Sequence, residues 1–225
     1  MALRGKLKLE QVTEPVKHNS SRFVSQPGRI EKPGWPLDKA DNEKMYFIGQ
    51  IELTENLFGK TQGKIACIFM SSRDDADLTW DADAGQNIII IQPDNNTIPA
   101  VADGTGPTGD FDEDGICEFT LTITPGNESD YIPEKKLNGL MESDQEQHDN
   151  YLQEMETSKI GGCPMFIQSA QTPIEDDWKL LFQLGEEDIP VEVNFGCGIA
   201  YALIQTGLMG KCYGSADKSC TLSLV

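Results

Sequence analysis

The chain has 225 residues, 37 acids against 18 bases, a formal charge of −19 and 38% hydrophobic residues. That length fits one large domain or two small ones, and the apolar share is enough to bury a core, which excludes global disorder. So negative a surface repels a phosphate backbone and an anionic membrane alike, so neither nucleic acid nor membrane is expected as a partner. A basic protein, a basic peptide or a metal ion fits the charge, with solubility alone as the plain alternative.

Residues 1–20 are polar and read as a loose lead-in. MALRGKLKLEQ carries bases but lacks the apolar stretch of a secretory signal. No apolar run approaches the roughly 18–20 residues of a membrane span, and Ile88–Ile91 has polar neighbours. The expected location is the cytoplasm. MYFIGQIEL (45–53) and GKIACIFM (63–70) read as strands joined through FGKTQGK. Acidic SSRDDADLTWDADAGQ follows as a loop, then the β-branched run NIIIIQPD as a strand. Residues 92–115, rich in Pro, Gly, Asp and Asn, read as a long hairpin excursion. CEFTLTITP (117–125) alternates as a half-buried strand does. PEKKLNGLMESDQEQHDNYLQEMETSK (133–159) reads as helical, with Leu137, Leu140, Met141, Tyr151, Leu152 and Met155 near helical spacing. FIQSAQ, WKLLFQLGEED and CGIAYALIQ then read as strands.

Six cysteines, at 67, 117, 163, 197, 212 and 220, form no Cys-x-x-Cys pair and no zinc-finger spacing. Cys67 and Cys197 lie in apolar runs and read as buried, reduced thiols. The polar tail allows a disulfide between Cys212 and Cys220, though the free thiols are the favoured reading.

SKIGGCPMFIQ (158–168) poses a question of its own, because much of it occurs twice. SRFVSQP (21–27) and SKIGGCP (158–164) share a Ser, a base, an apolar residue and a Pro six positions after the Ser. FIGQIEL (47–53) parallels LLFQLGE (180–186), with Gln50 over Gln183, and GKIACIFM parallels CGIAYALI (197–204). Three matches in the same order point to an internal duplication. The half-repeats are about 21–70 and 158–205, with 71–157 supplying further strands, the acidic hairpin insertion and the helix. One unit cannot bury both faces of its sheet, so the halves are expected to pack as one domain. Gln50, Gly161, Gly162, Pro164 and Gln183 are then scaffold positions, the glycines letting the backbone turn or approach closely. Residues 206–225 form a Cys-containing tail whose packing the pattern leaves open.

Chemistry is harder to find. GTGPTG (104–109) matches Gly-x-Gly-x-x-Gly by letter but opens no helix and runs into DFDED, where a pyrophosphate would meet carboxylates; a hairpin tip is the better reading. DFDEDG (110–115) matches the start of a calcium loop, yet Leu121 stands where the bidentate Glu belongs. A solvated acidic tip is favoured there, with Asp110, Asp112, Asp114 and Glu118 as the ligands of a weak calcium site. His18 and His148 sit beside no nucleophile motif and read as surface residues. Adjacent acids such as Asp74/Asp75 and Asp176/Asp177 are too common in this chain to mark a catalytic pair. Trp35, Trp80 and Trp178 each stand where a loop meets a strand. Packing is the default for them, and anchoring of a protein partner is the alternative.

Taken together, SRFVSQP, PGWP followed by MYFIGQIEL, GKIACIFM, TWDADAGQNIIIIQPD, SKIGGCPMFIQ, and WKLLFQLGEED followed by FGCGIAYALI resemble the YwqG-like family of uncharacterised bacterial proteins, over about residues 21–205. The resemblance implies a single α+β domain, mainly β, built from an internally duplicated strand set with capping helices. Related domains occur in the programmed-cell-death-two group of ribosomal-protein chaperones, and some bacterial members have been proposed as toxin-immunity proteins. The resemblance carries over no catalytic motif and no cofactor. The insertion ADGTGPTGDFDEDG and the tail after 205 depart from the family pattern.

The expected function is therefore a non-enzymatic acidic module that shields a basic protein, as a chaperone or an immunity protein would. Its expected contacts are Trp35, Trp80, Asp74, Asp75, Asp77, Asp81 and Asp83. The alternatives are an enzyme or small-ligand receptor with carboxylates in a cleft between the halves, and a calcium-binding protein acting through residues 110–118. The pattern does not fix the oligomeric state.

Overall fold

The computed structural model describes residues 1–12, 17, 19–23, 26–27, 34–60, 65–71, 84–92, 106–107, 118–166, 178–185, 188, 199–205 and 220–224, with side chains at all of these except 178, 205 and 220–224. Ten strands form one antiparallel sheet: β1 (Ala2–Gln11), β2 (Arg22–Phe23), β3 (Tyr46–Glu52), β4 (Ile65–Met70), β5 (Asn87–Gln92), β6 (Phe119–Glu128), β7 (Lys159–Gly161), β8 (Trp178–Gly185), β9 (Ile199–Gln205) and β10 (Cys220–Leu224). Their order across the sheet is β10-β9-β8-β7-β1-β6-β2-β3-β4-β5. The chain is a strand-rich, mainly β domain.

The expectation of a loose lead-in is corrected at residues 2–11. They form β1, the middle of the sheet, pairing with β6 along its whole length and with β7 through Arg4–Lys6. The physical reason is visible in the residues. Lys6-Leu7-Lys8-Leu9-Glu10 alternates with period two, turning Leu7 and Leu9 to the core and the charged residues outward. The strands expected at 45–53 and 117–125 are present with shifted ends, and those expected at 63–70 and 87–94 are present over their described residues, 65–70 and 87–92. The tail contributes β10, paired to β9.

One core unites the two ends of the sheet. Ile51, Ile68 and Ile89 from β3–β5 share a cluster with Phe182, Ala200 and Ile204 from β8 and β9. Strands so far apart in the order can meet only if the sheet curls over that face. The edge strands β5 and β10 do approach one another. The opposite, outer face carries smaller clusters: Phe47, Cys67, Phe69 and Ile90 with Trp35 on β3–β5, and Leu180, Tyr201 and Leu203 on β8–β9.

The helical stretch splits in two, α2 (Glu134–Ser143) and α3 (Gln145–Met155), after the short α1 (Glu55–Phe58). Asp144 makes the break. Its backbone leaves the helical region at φ −153°, and its carboxylate accepts from Gln147 N at 3.0 Å, starting α3 afresh. Leu137, Tyr151 and Met155 turn inward and pack beside Cys163 and Met165. Among the described residues, no helix is long and apolar enough to cross a membrane.

Both long hairpins carry the same irregularity. In β3–β4 the register shifts between Phe47 and Gly49, and in β8–β9 between Leu180 and Phe182. Residues three apart on a regular strand face opposite ways. The extra residue, Ile48 or Leu181, lets Phe47 and Gln50, and likewise Leu180 and Gln183, share the outer face. Each glutamine then lies opposite a cation on the neighbouring strand: Gln50 opposite Arg22, and Gln183 opposite Lys159.

Candidate functional site

The outer face of β1, β6 and β7, beneath α3, holds a buried charge network. Lys159 and Glu128 are both wholly excluded from solvent, with Lys159 Nζ donating to Glu128 Oε2 at 2.9 Å. Arg4 Nη1 lies 3.4 Å from the same oxygen and donates at 2.9 Å to both Glu154 O and Thr157 Oγ1. Glu128 Oε1 accepts from Cys163 N at 2.5 Å. Two cations share one carboxylate, so the cluster carries net positive charge. Desolvation lowers the Lys159 ammonium below its ordinary value, opposed by its bond to Glu128 and reinforced by Arg4. Among the described residues, Arg4 Nε has no hydrogen-bond partner. An amine with no exposed surface offers a substrate no approach. The network ties the end of β6 to α3 and to the turn after β7.

That turn answers the question of the glycine pair. Gly161 and Gly162 both take left-handed angles, φ +66° and +80°, which side-chain-bearing residues adopt at a cost. A Cβ on Gly162 would also stand 2.1 Å from Glu128 Oε1, so the carboxylate fits only because that position is bare. Pro164 is buried just beyond. Gln183, fully buried, fastens the same turn: its Nε2 donates to Met155 O at 2.8 Å and to Thr157 O at 3.2 Å, and its Oε1 accepts from Met165 N at 2.9 Å.

The other half has a similar device. Buried Gln50 donates through Nε2 to Ser20 O at 2.9 Å. Ser21 Oγ accepts from Glu52 N at 2.9 Å, as Ser158 Oγ accepts from Gly185 N at 2.8 Å. Arg22 pairs with Glu118 at 3.2 Å, and desolvation lowers the guanidinium while Glu118 raises it. Burial pushes the neighbouring Cys67 thiol up to about 12. Cys67 and Cys163 are free thiols.

Of the expected contact residues, Trp35 is described and partly buried. Its ring meets Phe69 edge-on at 5.4 Å, its Nε1 donates to Met45 O at 2.7 Å, and Gly106 approaches the indole too closely to carry a Cβ. Trp80, Asp74, Asp75, Asp77, Asp81 and Asp83 lie outside the described residues. So do Asp110, Asp112 and Asp114, while Glu118 is engaged by Arg22. Among the described residues, no three His, Cys, Asp or Glu side chains converge as a metal site. Cys212 and the side chain of Cys220 are likewise outside.

The sequence reading missed Arg4, Glu128 and the pairing role of Lys159 and Arg22. A signal existed for the last two, since each is the base after the repeated Ser. None existed for Glu128, whose partners lie 124, 31 and 35 residues away.

Beside the network opens a cleft of about 480 Å³, lined by Met1, Ser129, Asp130, Ile132, Gln147, Asn150, Tyr151 and Glu154. The Glu154 carboxylate is held by Ser129 N at 3.2 Å and Ser129 Oγ at 2.6 Å. Tyr151 Oη accepts from Ile132 N at 2.9 Å.

Residues 21–212 match the family model described as a domain of unknown function, DUF1963, and the chain belongs to that family. No curated protein matches the chain.

Proposed function

We propose that this member of the DUF1963 family is a non-enzymatic, acidic binding module that shields a basic protein, in the manner of a chaperone or an immunity protein. The observation that carries this reading is where the charge sits. The buried cations Arg4 and Lys159 share Glu128, and Arg22 pairs with the partly exposed Glu118. Along the helical stretch most of the acids face water. Residues 134–156 hold seven acids and two lysines, and Glu134, Glu142, Asp144, Glu146, Asp149 and Glu156 are all exposed. A one-signed surface steers an oppositely charged partner and discriminates against like-charged ones. The contacts expected from sequence, Trp35, Trp80 and the acids between 74 and 83, belong to this proposal too, as does a cytoplasmic location.

We further infer that the domain arose by duplication of a five-strand unit, with β6-β2-β3-β4-β5 equivalent to β1-β7-β8-β9-β10. The shared bulge, the Ser21 and Ser158 hydrogen bonds and the two glutamines support it. So does the register. Arg22 pairs with Thr120 as Lys159 pairs with Lys6, which equates Lys6 with Thr120 and therefore Lys8 with Thr122. Lys8 and Thr122 are themselves cross-strand partners, so a two-fold axis through the sheet passes between them. On this reading β1 fills the place of a strand that would follow β10. The kinship with the YwqG-like and programmed-cell-death-two groups is part of the same proposal.

The test is affinity capture from the host at low salt, release at moderate salt, and rebinding of the purified partner. A basic protein that rebinds stoichiometrically, and more weakly as salt rises, is the expected result. No stoichiometric partner at low salt overturns the reading.

A further inference from the structure

We propose that the cleft between α3 and the turn after β6 receives a lysine side chain of the basic partner. The inference rests on the binding-module reading and names one of its contact points. Four observations meet there. The cleft is large enough for a side chain, at about 480 Å³. Two carboxylates, Asp130 and Glu154, line it. An ammonium group already sits on one of them, the α-amino nitrogen of Met1 at 2.6 Å from Asp130 Oδ1. Tyr151, with 5% of its surface exposed, accepts one hydrogen bond through Oη, and its hydroxyl proton has no acceptor among the described residues.

The chemistry selects a lysine. Ile132 and the Tyr151 ring offer an apolar wall for a four-carbon stem, and the acids receive the head. The Glu154 carboxylate is pre-positioned by Ser129, so little side-chain entropy is lost when a cation arrives. Asp130 is exposed and free to exchange one ammonium for another. The Tyr151 hydroxyl and the amides of Gln147 and Asn150 remain for the carbonyls of the segment that bears the lysine. The buried cations beneath do not compete, since Glu128 and backbone oxygens hold them.

The experiment is a backbone-amide NMR titration of the full chain with an acetylated, amidated Ala-Lys-Lys-Ala peptide at low salt. The same peptide with norleucine for lysine is the neutral probe. Shifts confined to residues 129–132 and 147–154 are expected with the lysine peptide and not with the norleucine one. Asp130→Asn should weaken binding about two- to fivefold, the scale of one exposed ion pair. Glu52→Gln, the same charge change at an exposed site on β3 outside the cleft, should leave it unchanged. If the peptide binds but the shifts fall elsewhere, or D130N and E52Q weaken it equally, the cleft is overturned and the acidic module stands. If nothing shifts at low salt, the cleft is overturned, while the module reading is decided separately by the capture and rebinding of a basic protein.

Discussion

Replacing Glu128 by glutamine should cost the protein far more than replacing Lys159 by methionine. Among the described residues, Glu128 alone answers two buried cations, Lys159 at 2.9 Å and Arg4 at 3.4 Å, and it also accepts the Cys163 amide. E128Q leaves two desolvated positive charges without a counter-charge. Removing one partner of a buried pair typically costs about 3–5 kcal/mol. For a domain of this size that is a fall in Tm of roughly 6–20 °C. K159M instead removes the surplus cation and leaves Arg4 and Glu128 as a one-to-one pair. The methionine stem replaces much of the lost volume beside Met155, so the expected cost is about 0–2 kcal/mol, of either sign. Urea unfolding of the three proteins, with m unchanged, measures the difference directly. The reasoning fails if K159M loses as much as E128Q, or if E128Q lies within about 1 kcal/mol of the wild type.

Desolvation lowers the Lys159 pKa in the folded state, so between that value and the unfolded 10.5 the unfolded chain binds more protons. Wild-type stability relative to K159M should therefore rise as pH climbs through that window, and a flat difference in urea midpoints would count against a desolvated amine. S21A and S158A should each cost about 0.5–1.5 kcal/mol, since each hydroxyl accepts one strand amide, with S158A the costlier because Ser158 Oγ also donates to Asp188; one of them proving silent in chemical denaturation would break the equivalence of the halves. Gly162→Ala should cost more than roughly 1–3 kcal/mol, because left-handed strain adds to a collision with Glu128. Thermal unfolding indistinguishable from the wild type would refute that tight fit.

The repeat could be seen in the letters because hairpins are local. Gln50 and Gln183 fall at matching places in runs dense with β-formers, and period-two or continuous apolar patterns mark β3, β4, β5, β8 and β9 without help. The break at Asp144 was also written locally, in a capping residue three before Gln147, but a long run of helix formers hid it. β1 was misread because lysine and glutamate weigh against a strand when averaged, although their alternation with Leu7 and Leu9 is the strand signature. Its place between β6 and β7 could not be read at all, since pairing over such separations depends on which edge remains unpaired once the hairpins have formed.

Local propensity and periodicity thus determined most of the strands, the repeated motif and the acidic surplus, which belong to neighbours in sequence or to the composition itself. Tertiary structure alone decided that β1 is central, that the sheet curls far enough for Ile68 and Ala200 to share a core, and that Arg4, Glu128 and Lys159 meet. A buried ion cluster is the sum of distances that no single segment encodes. Its members come from three strands whose side chains face the same way only after register, bulge and curl are set. The cleft beside it arises in the same way, from the turn after β6 meeting one face of α3.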